Sequence, residues 1–454
     1  MKFSLFVHME RWDEQVSHRQ LFEDLTELTL MAEDGGFSTV WIGEHHAMEY
    51  TISPSPMPLL AYLAARTEKI RLGAGTIIAP FWNPIRVAGE CALLDVISNG
   101  RMEVGLARGA YQFEFDRMAN GMPATDGGKA LREMVPVVRK LWEGDYAHDG
   151  EVYKFPTSTS VPKPFNATPP MWIAARDPDS HNFAVANGCN VMVTPLMKGD
   201  EEVLDLKNKF QAALDNNPDV PRPQLMVLRH THVHSPAEPE GWKIGAQAIS
   251  RFYRTFDAWF GNKTVPVNGF LEPSPESKFA EVPAFQLENI RKNTMIGTPE
   301  EIIARIKYYQ ELGVDEFSFW CDNSLPHAEK KKSLGCSSRK WCRRSPEFPL
   351  PESLRDAPAP VGPLGLRERA FFETCTGLIA GKPAPTGSPP VLKAVQSLWG
   401  WLAGDRASTD TTRLRASAHL SSPRKRNFQP PLAQQILWYT IRQQELITLT
   451  RSHP

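Results

Sequence analysis

Residues 38–50 read STVWIGEHHAMEY, and the fold turns on how they are read. Val40, Trp41 and Ile42 form a β-rich apolar run that stops at Gly43. Glu44, His45 and His46 follow with no spacer. A run apolar on consecutive residues reads as a strand buried on both faces, as in parallel sheets. Three titratable groups therefore sit where a buried strand ends.

Similar runs recur on both sides of this one: KFSLFVH (2–8), IRLGAGTII (70–78), MEVGLA (102–107), PMWIAA (170–175), NVMVTP (190–195), LMVLRHTHV (225–233) and VDEFSFW (314–320). Helical patterns lie between most of them. LFEDLTELTLMAEDGG (21–36) ends on a glycine pair, and PIRVAGECALLDVIS (84–98) and PEEIIARIKYYQELG (299–313) open on proline at the first helical turn. Strands alternating with helices predict a parallel sheet, and eight strands suit a closed (β/α)8, or TIM, barrel. The stretches 109–169 and 234–295 are too long for plain crossovers and are expected as rim insertions. The first should hold a helix over 127–142 and a hairpin near His148-Asp149-Gly150. In such barrels the strands' carboxyl ends carry the chemistry, so Glu44, His45 and His46 lie on the working rim.

The chain has 454 residues and a net charge of −1, which hides an asymmetry. Residues 1–334 hold 34 Lys/Arg against 44 Asp/Glu, whereas 335–454 hold 17 against 8, with 14 prolines. That break predicts a boundary near Leu334, with a largely disordered tail after it. Six irregularly spaced cysteines argue for a reducing compartment, and no apolar run approaches a membrane span. The N-terminus MKFSLFVHMERWDE turns polar too early for a signal peptide, so a cytoplasmic protein is expected, without membrane or nucleic-acid partners.

Several strand ends converge in type. GAGT (73–76) offers small residues that let a flat ligand approach the backbone. GLARGAYQFEF (105–115) places Arg108 before a glycine and aromatics. In AARDPDSHNFAVANG (174–188), Asp177 can cap a helix that opens on Pro178. A helix N-terminus with one arginine suits a phosphate. Together these residues describe a slot for a planar ring with a phosphate tail, imidazoles over one face. In LRHTHVHS (228–235), His230, His232 and His234 share one face of a strand. That pattern leaves open a metal-dependent hydrolase, although no carboxylate follows at metal spacing.

These residues resemble the bacterial luciferase-like flavin monooxygenases. The matching pieces are MKFSLF, GFSTVWIGEHH (36–46), LGAGTIIAPFWNPIRVAGECALLDVISNGRMEVGLARG (72–109) and IGTPEE (296–301), which together span most of 1–334. The resemblance implies a TIM barrel using reduced FMN, supplied by a separate reductase, and O2. A C4a-peroxyflavin would oxygenate a small apolar organic substrate by hydroxylation, epoxidation or Baeyer–Villiger insertion. It implies His45 as the catalytic imidazole, with Glu44 and His46 beside it. Gly75-Thr76 matches a non-proline cis peptide beside the flavin. Arg108 and Ser180 match phosphate contacts, with Ala107, Ala175 and Asp177 alongside. Phe6, Trp82, Tyr111 and Phe115 are expected on the substrate wall, no metal is expected, and a homodimer is common in the family. Two rivals remain: a deazaflavin (F420)-dependent hydride-transfer enzyme on the same barrel, and a non-catalytic flavin-binding subunit.

The resemblance stops at Leu334. Family members end in a helix of the form LF-x-x-EV-x-PAF. Residues 334–347 can be encoded so that a two-base shift reads Gly-Leu-Phe-Ile-Gln-Glu-Val-Val-Pro-Ala-Phe-Ala-stop. The expectation is that 335–454 is frameshifted translation without function, and that the barrel has lost its last helix.

Overall fold

The computed structural model describes residues 1–165, 168–260 and 265–341. Eight parallel strands form a closed barrel: β1 (Lys2–Val7), β2 (Thr39–Ile42), β3 (Arg71–Ile78), β4 (Met102–Ala107), β5 (Met171–Ala174), β6 (Asn190–Val193), β7 (Leu225–Val233) and β8 (Glu316–Trp320). Each strand pairs with its neighbours in chain order, and β8 returns to β1. All eight expected runs are barrel strands.

Alternation along the strands sorts the side chains into two cores. Leu5, Val40, Leu72, Val104, Ile173, Val191, Val227 and Phe317 point outward and bury against the helical ring. Phe6, Trp41, Trp172, Met192, Met226 and Trp320 fill the interior. Register decides their fit. Trp41 lies opposite Gly73, where an added Cβ would fall 2.2 Å from its ring, so only glycine leaves room for the indole. Trp41 and Trp172 meet edge to face at 5.4 Å.

The barrel floor is polar but satisfied. Trp41 Nε1 donates to Glu316 Oε1 at 3.2 Å, and Trp172 Nε1 donates to Glu103 Oε2 at 2.6 Å. Arg71 also pairs with Glu103. Burial pushes both carboxyls above their ordinary range.

The helices in chain order are α1 (His18–Asp34), α2 (Pro56–Ala64), α3 (Pro84–Ile97), α4 (Gln112–Met118), α5 (Gly127–Glu143), α6 (Pro178–Ala186), α7 (Asp200–Asp215), α8 (Trp242–Phe260), α9 (Leu287–Asn293), α10 (Pro299–Glu311) and α11 (His327–Trp341). Their starts follow local chemistry. Asn83 and Asp177 cap α3 and α6, and Thr298 with Glu301 forms a capping box on α10. Both long insertions are present. The first carries α4, α5 and the hairpin Tyr146–Asp149 with Lys154–Ser158; the second carries α8 and α9.

The C-terminal end differs from the sequence expectation. A last helix is present: α11 runs through Leu334 to Trp341 and is tied down on two sides. Lys331 pairs with Glu27 of α1 at 2.8 Å, and Ser333 Oγ accepts from the Val233 amide at 2.8 Å. The rest of the proposed tail, 342–454, lies outside the described residues. Among the described residues, no helix is long and apolar enough to cross a membrane.

Candidate active site

The three groups after β2 separate into two environments. Glu44 turns toward the end of β3. Its carboxylate accepts from the Ile78 amide at 3.1 Å and from Trp82 Nε1 at 2.9 Å, and it bonds His46 Nε2 at 2.8 Å. His46 packs its ring on Phe81. His45, between them, faces the barrel mouth. Its Nδ1 lies 3.2 Å from both oxygens of Glu114, which also accepts the His46 amide at 2.8 Å. Trp259 and His8 stand edge-on to the His45 ring at 5.0 and 5.1 Å. Of the three, His45 is the least buried, while Glu44 and His46 are buried and bond each other.

The mouth beside His45 is floored by backbone. The Gly75-Thr76 peptide is cis. Gly43 and Gly75 carry no side chain there; a Cβ built at Gly43 would meet His8 and Phe6 at 3.5 Å, and one at Gly75 would meet Trp41 at 3.1 Å and Phe6 at 3.5 Å. The Tyr111 ring lies 3.9 Å from Trp259 and 5.8 Å from His45. Two other wall assignments change. Trp82 spends its N–H on Glu44 and its ring face on Arg86. Phe115 is fully buried, packed on Phe81 and beneath Gly109 and Gly127. Both stand behind the wall, because the turn at 79–83 and helix α4 direct them into the packing.

The presumed phosphate side lies at the ends of β4 and β5. Arg108 is exposed and makes no hydrogen bond or ion pair among the described residues. Glu114 and Asp116 do not take it, being engaged by His45 and by Gln112. Asp177 caps α6 as expected, with its side chain accepting from the Ser180 amide at 2.8 Å. Burial opposes its ionisation, yet the Ser180 amide and hydroxyl, with Arg108 nearby, hold its carboxyl below the usual range. That cap occupies one donor of the helix end. Ser180 Oγ donates to the Asp177 carbonyl, and Ala175 pairs with Met192 beside partly buried Ala107. Arg108 is thus exposed beside a helix end whose first donor is already taken.

The sequence did not reveal the groups around His45 that come from elsewhere in the chain. Glu114 rides on α4, Trp259 and Phe252 on α8, and His8 and Glu10 follow β1. Asp322 follows β8 and organises the turn beyond β1: its Oδ2 accepts the His8 and Met9 amides at 2.5 and 3.0 Å, while Oδ1 holds Lys330 at 2.7 Å. Met9, Asn323 and Ser324 have positive φ values of 61°, 43° and 58°, a conformation rarely adopted by residues with a side chain. Burial, with the neighbouring His45, keeps His8 well below the ordinary histidine range. Burial likewise lowers His230 to about 3. His230 is bonded to Asn323 and to Tyr253 Oη and stacked on Trp320 at 4.1 Å. Among the described residues no three ligands converge on a metal position.

The sequence that builds this mouth matches a known family. Residues 1–316 match the luciferase-like monooxygenases. The chain belongs to that family. Among luciferase-like relatives, the oxygenase component of the flavin-dependent trigonelline monooxygenase of Acinetobacter baylyi is 48% identical over 335 residues, covering 74% of this chain and 92% of the relative. The alkanal monooxygenase alpha chain of Photorhabdus luminescens is 26% identical over 223 residues, covering 48% and 60%. The solved monooxygenase RslO1 from Streptomyces bottropensis superposes with a TM-score of 0.63 at 26% identity, covering 74% of this chain and 98% of that one. An FMN complex of the oxygenating constituent of 3,6-diketocamphane monooxygenase from Pseudomonas putida reaches 0.62 at 18% identity, covering 76% and 98%. An F420-dependent secondary alcohol dehydrogenase reaches 0.57 at 19%, covering 74% and 98%, so the fold alone does not choose the chemistry.

Proposed function

We propose that this protein is the oxygenase component of a two-component, flavin-dependent monooxygenase. It would take reduced FMN from a separate reductase and use O2 to insert one oxygen atom into a small ring-shaped substrate. The observation that carries this reading is His45, held by Glu114 at the strand ends that also carry Gly43 and the cis Gly75-Thr76 peptide. The residues fit a flavin. Gly43, Gly75 and Thr76 are small residues that would let a flat ring approach the backbone, with Ala107 and Ala175 at the neighbouring strand ends, and Arg108 is an exposed cation for the phosphate, near Ser180. The bound flavin supplies the activation of oxygen. His45 would hold or move a proton on the side of the ring that reacts. Glu114 fixes its orientation, and the aromatic walls exclude water. Supply by a reductase is supported by the A. baylyi relative, which is named as an oxygenase component. The same relative favours flavin over deazaflavin, and makes trigonelline the first substrate to try.

The test is to mix protein loaded with reduced FMN against oxygenated buffer and follow the flavin absorbance. The expected result is a transient spectrum distinct from both reduced and oxidised flavin, shortened by His45→Ala, with oxygenated product when substrate is present. Failure to bind reduced FMN, with binding of reduced deazaflavin instead, would overturn it. For residues 335–454 the reading remains frameshifted translation, and a gene with no family-like helix in the alternative frame would exclude it.

A further inference from the structure

We propose that Lys330, on the last helix α11, is a positioning residue of the active site. Through Asp322 it sets the turn after β1, and that turn seats His8 against His45. The proposal rests on the reading of His45 given above and adds a residue that acts on it through others. Asp322 and Lys330 both lie past residue 316, where the family match ends.

Three observations support it. The first is the ion pair itself. Lys330 and Asp322 are both buried, with Nζ 2.7 Å from Oδ1. Burial opposes the charge on Lys330, yet Asp322 and Glu10 raise its pKa above the ordinary lysine value. A buried ion pair returns little net stability, because desolvating both ions costs about what their attraction gives back. Nor does α11 need it to dock. Lys331 pairs with Glu27 at 2.8 Å and Lys332 with Glu238 at 2.6 Å, Ser333 Oγ accepts the Val233 amide, and Leu334 is buried. The second is what the pair holds. Asp322 Oδ2 is spent on the His8 and Met9 amides. In return, Glu10 Oε2 accepts the Ser324 amide at 2.7 Å. The turns after β1 and β8 thus clasp each other through two carboxylates, and Lys330 is the cation that attracts both. The clasp closes on left-handed backbone at Met9, Asn323 and Ser324, which persists only when its surroundings hold it. The third is what the clasp seats. The His8 ring stands edge-on to His45, Tyr50 and Trp320 at 5.1–5.4 Å. Glu114 bonds one edge of the His45 ring, and His8 backs that ring from the end of β1. A turn that relaxed would carry His8 with it and leave His45 loose on that side.

The experiment follows the imidazole resonances of the full chain by NMR, with isotope-labelled histidine and without flavin. His8→Gln and His45→Gln assign the two signals, and His148, bonded to Glu133 in the first insertion, is the internal reference. Lys330→Met should displace the His8 and His45 signals and leave His148 in place. Lys330→Arg, which keeps the charge, should bring them back toward the parent. With trigonelline, reduced FMN and O2, kcat should fall about tenfold or more in Lys330→Met while KM stays within about twofold, and Lys330→Arg should recover most of the loss. Lys330→Met strands a buried carboxylate, so Lys330→Gln supplies a milder variant that can still donate to Asp322 without the charge. The same two signals should move in it, by less. A lowered unfolding midpoint with His8 and His45 unmoved, or loss of folding in both neutral variants, would make the pair a packing device and overturn the proposal. The spectra are read without flavin, so failure of the flavin reading leaves this test standing, whereas unmoved spectra in a working oxygenase sink the positioning role alone.

Discussion

The two ends of the barrel bury the same kinds of residue to different ends. At the floor, every carboxylate meets a built partner: Glu316 takes Trp41, and Glu103 takes Trp172 and Arg71. At the mouth the carboxylates are partnered too, but Tyr50 Oη and Trp259 Nε1 have no hydrogen-bond partner among the described residues. The mouth is also where the backbone is strained, at Met9, Asn323 and Ser324.

Substitutions at the two ends should therefore separate activity from stability. His45→Ala at the mouth should lower turnover about 10²–10⁴-fold, with little change in unfolding midpoint. Stopped-flow kinetics and a denaturant titration on one preparation read both. Equal loss of stability would erase the contrast. Glu114→Gln should reduce turnover about 10- to 100-fold, the worth of a charge-assisted hydrogen bond of roughly 1.5–3 kcal/mol, and alter the pH profile of turnover. A profile identical to the parent's would leave Glu114 a packing residue. Glu103→Ala at the floor should do the reverse. It strands a buried Trp172 N–H and unpairs Arg71, costing about 2–3 kcal/mol in urea unfolding, while reduced-FMN affinity stays put. Glu44→Gln should fall between the two. It weakens bonds to Ile78, Trp82 and His46 by about 1–2 kcal/mol and loosens His45 only indirectly.

A further expected effect is on pH. Burial lowers His230 to about 3 and His232 to about 4. Below the ordinary histidine range near 6.5, the unfolded chain takes up these protons while the folded chain does not. Stability should therefore fall as pH drops from about 6.5 toward 4. Unfolding midpoints across that window check the sign, and His230→Gln should flatten the slope.

Much of the architecture was legible in the sequence because period-2 apolar runs and helix-start signals are local. All eight strands, the two rim insertions and the placement of Glu44, His45 and His46 at a strand's end followed from that. The cis peptide at Gly75-Thr76 was legible only through family resemblance. What was not legible depends on partners far apart in the chain. Glu114 reaches His45 across 69 residues, and Asp322 grips the His8 amide across 314. No local pattern encodes such pairings.

Composition and periodicity by themselves determined a parallel barrel with titratable groups at its rim. Only the tertiary structure decided which partners each of three adjacent side chains takes. Successive residues leaving a strand point in different directions. Ile78 and Trp82 claimed Glu44 and Glu114 claimed His45 only once the closed barrel and helix α4 brought them together.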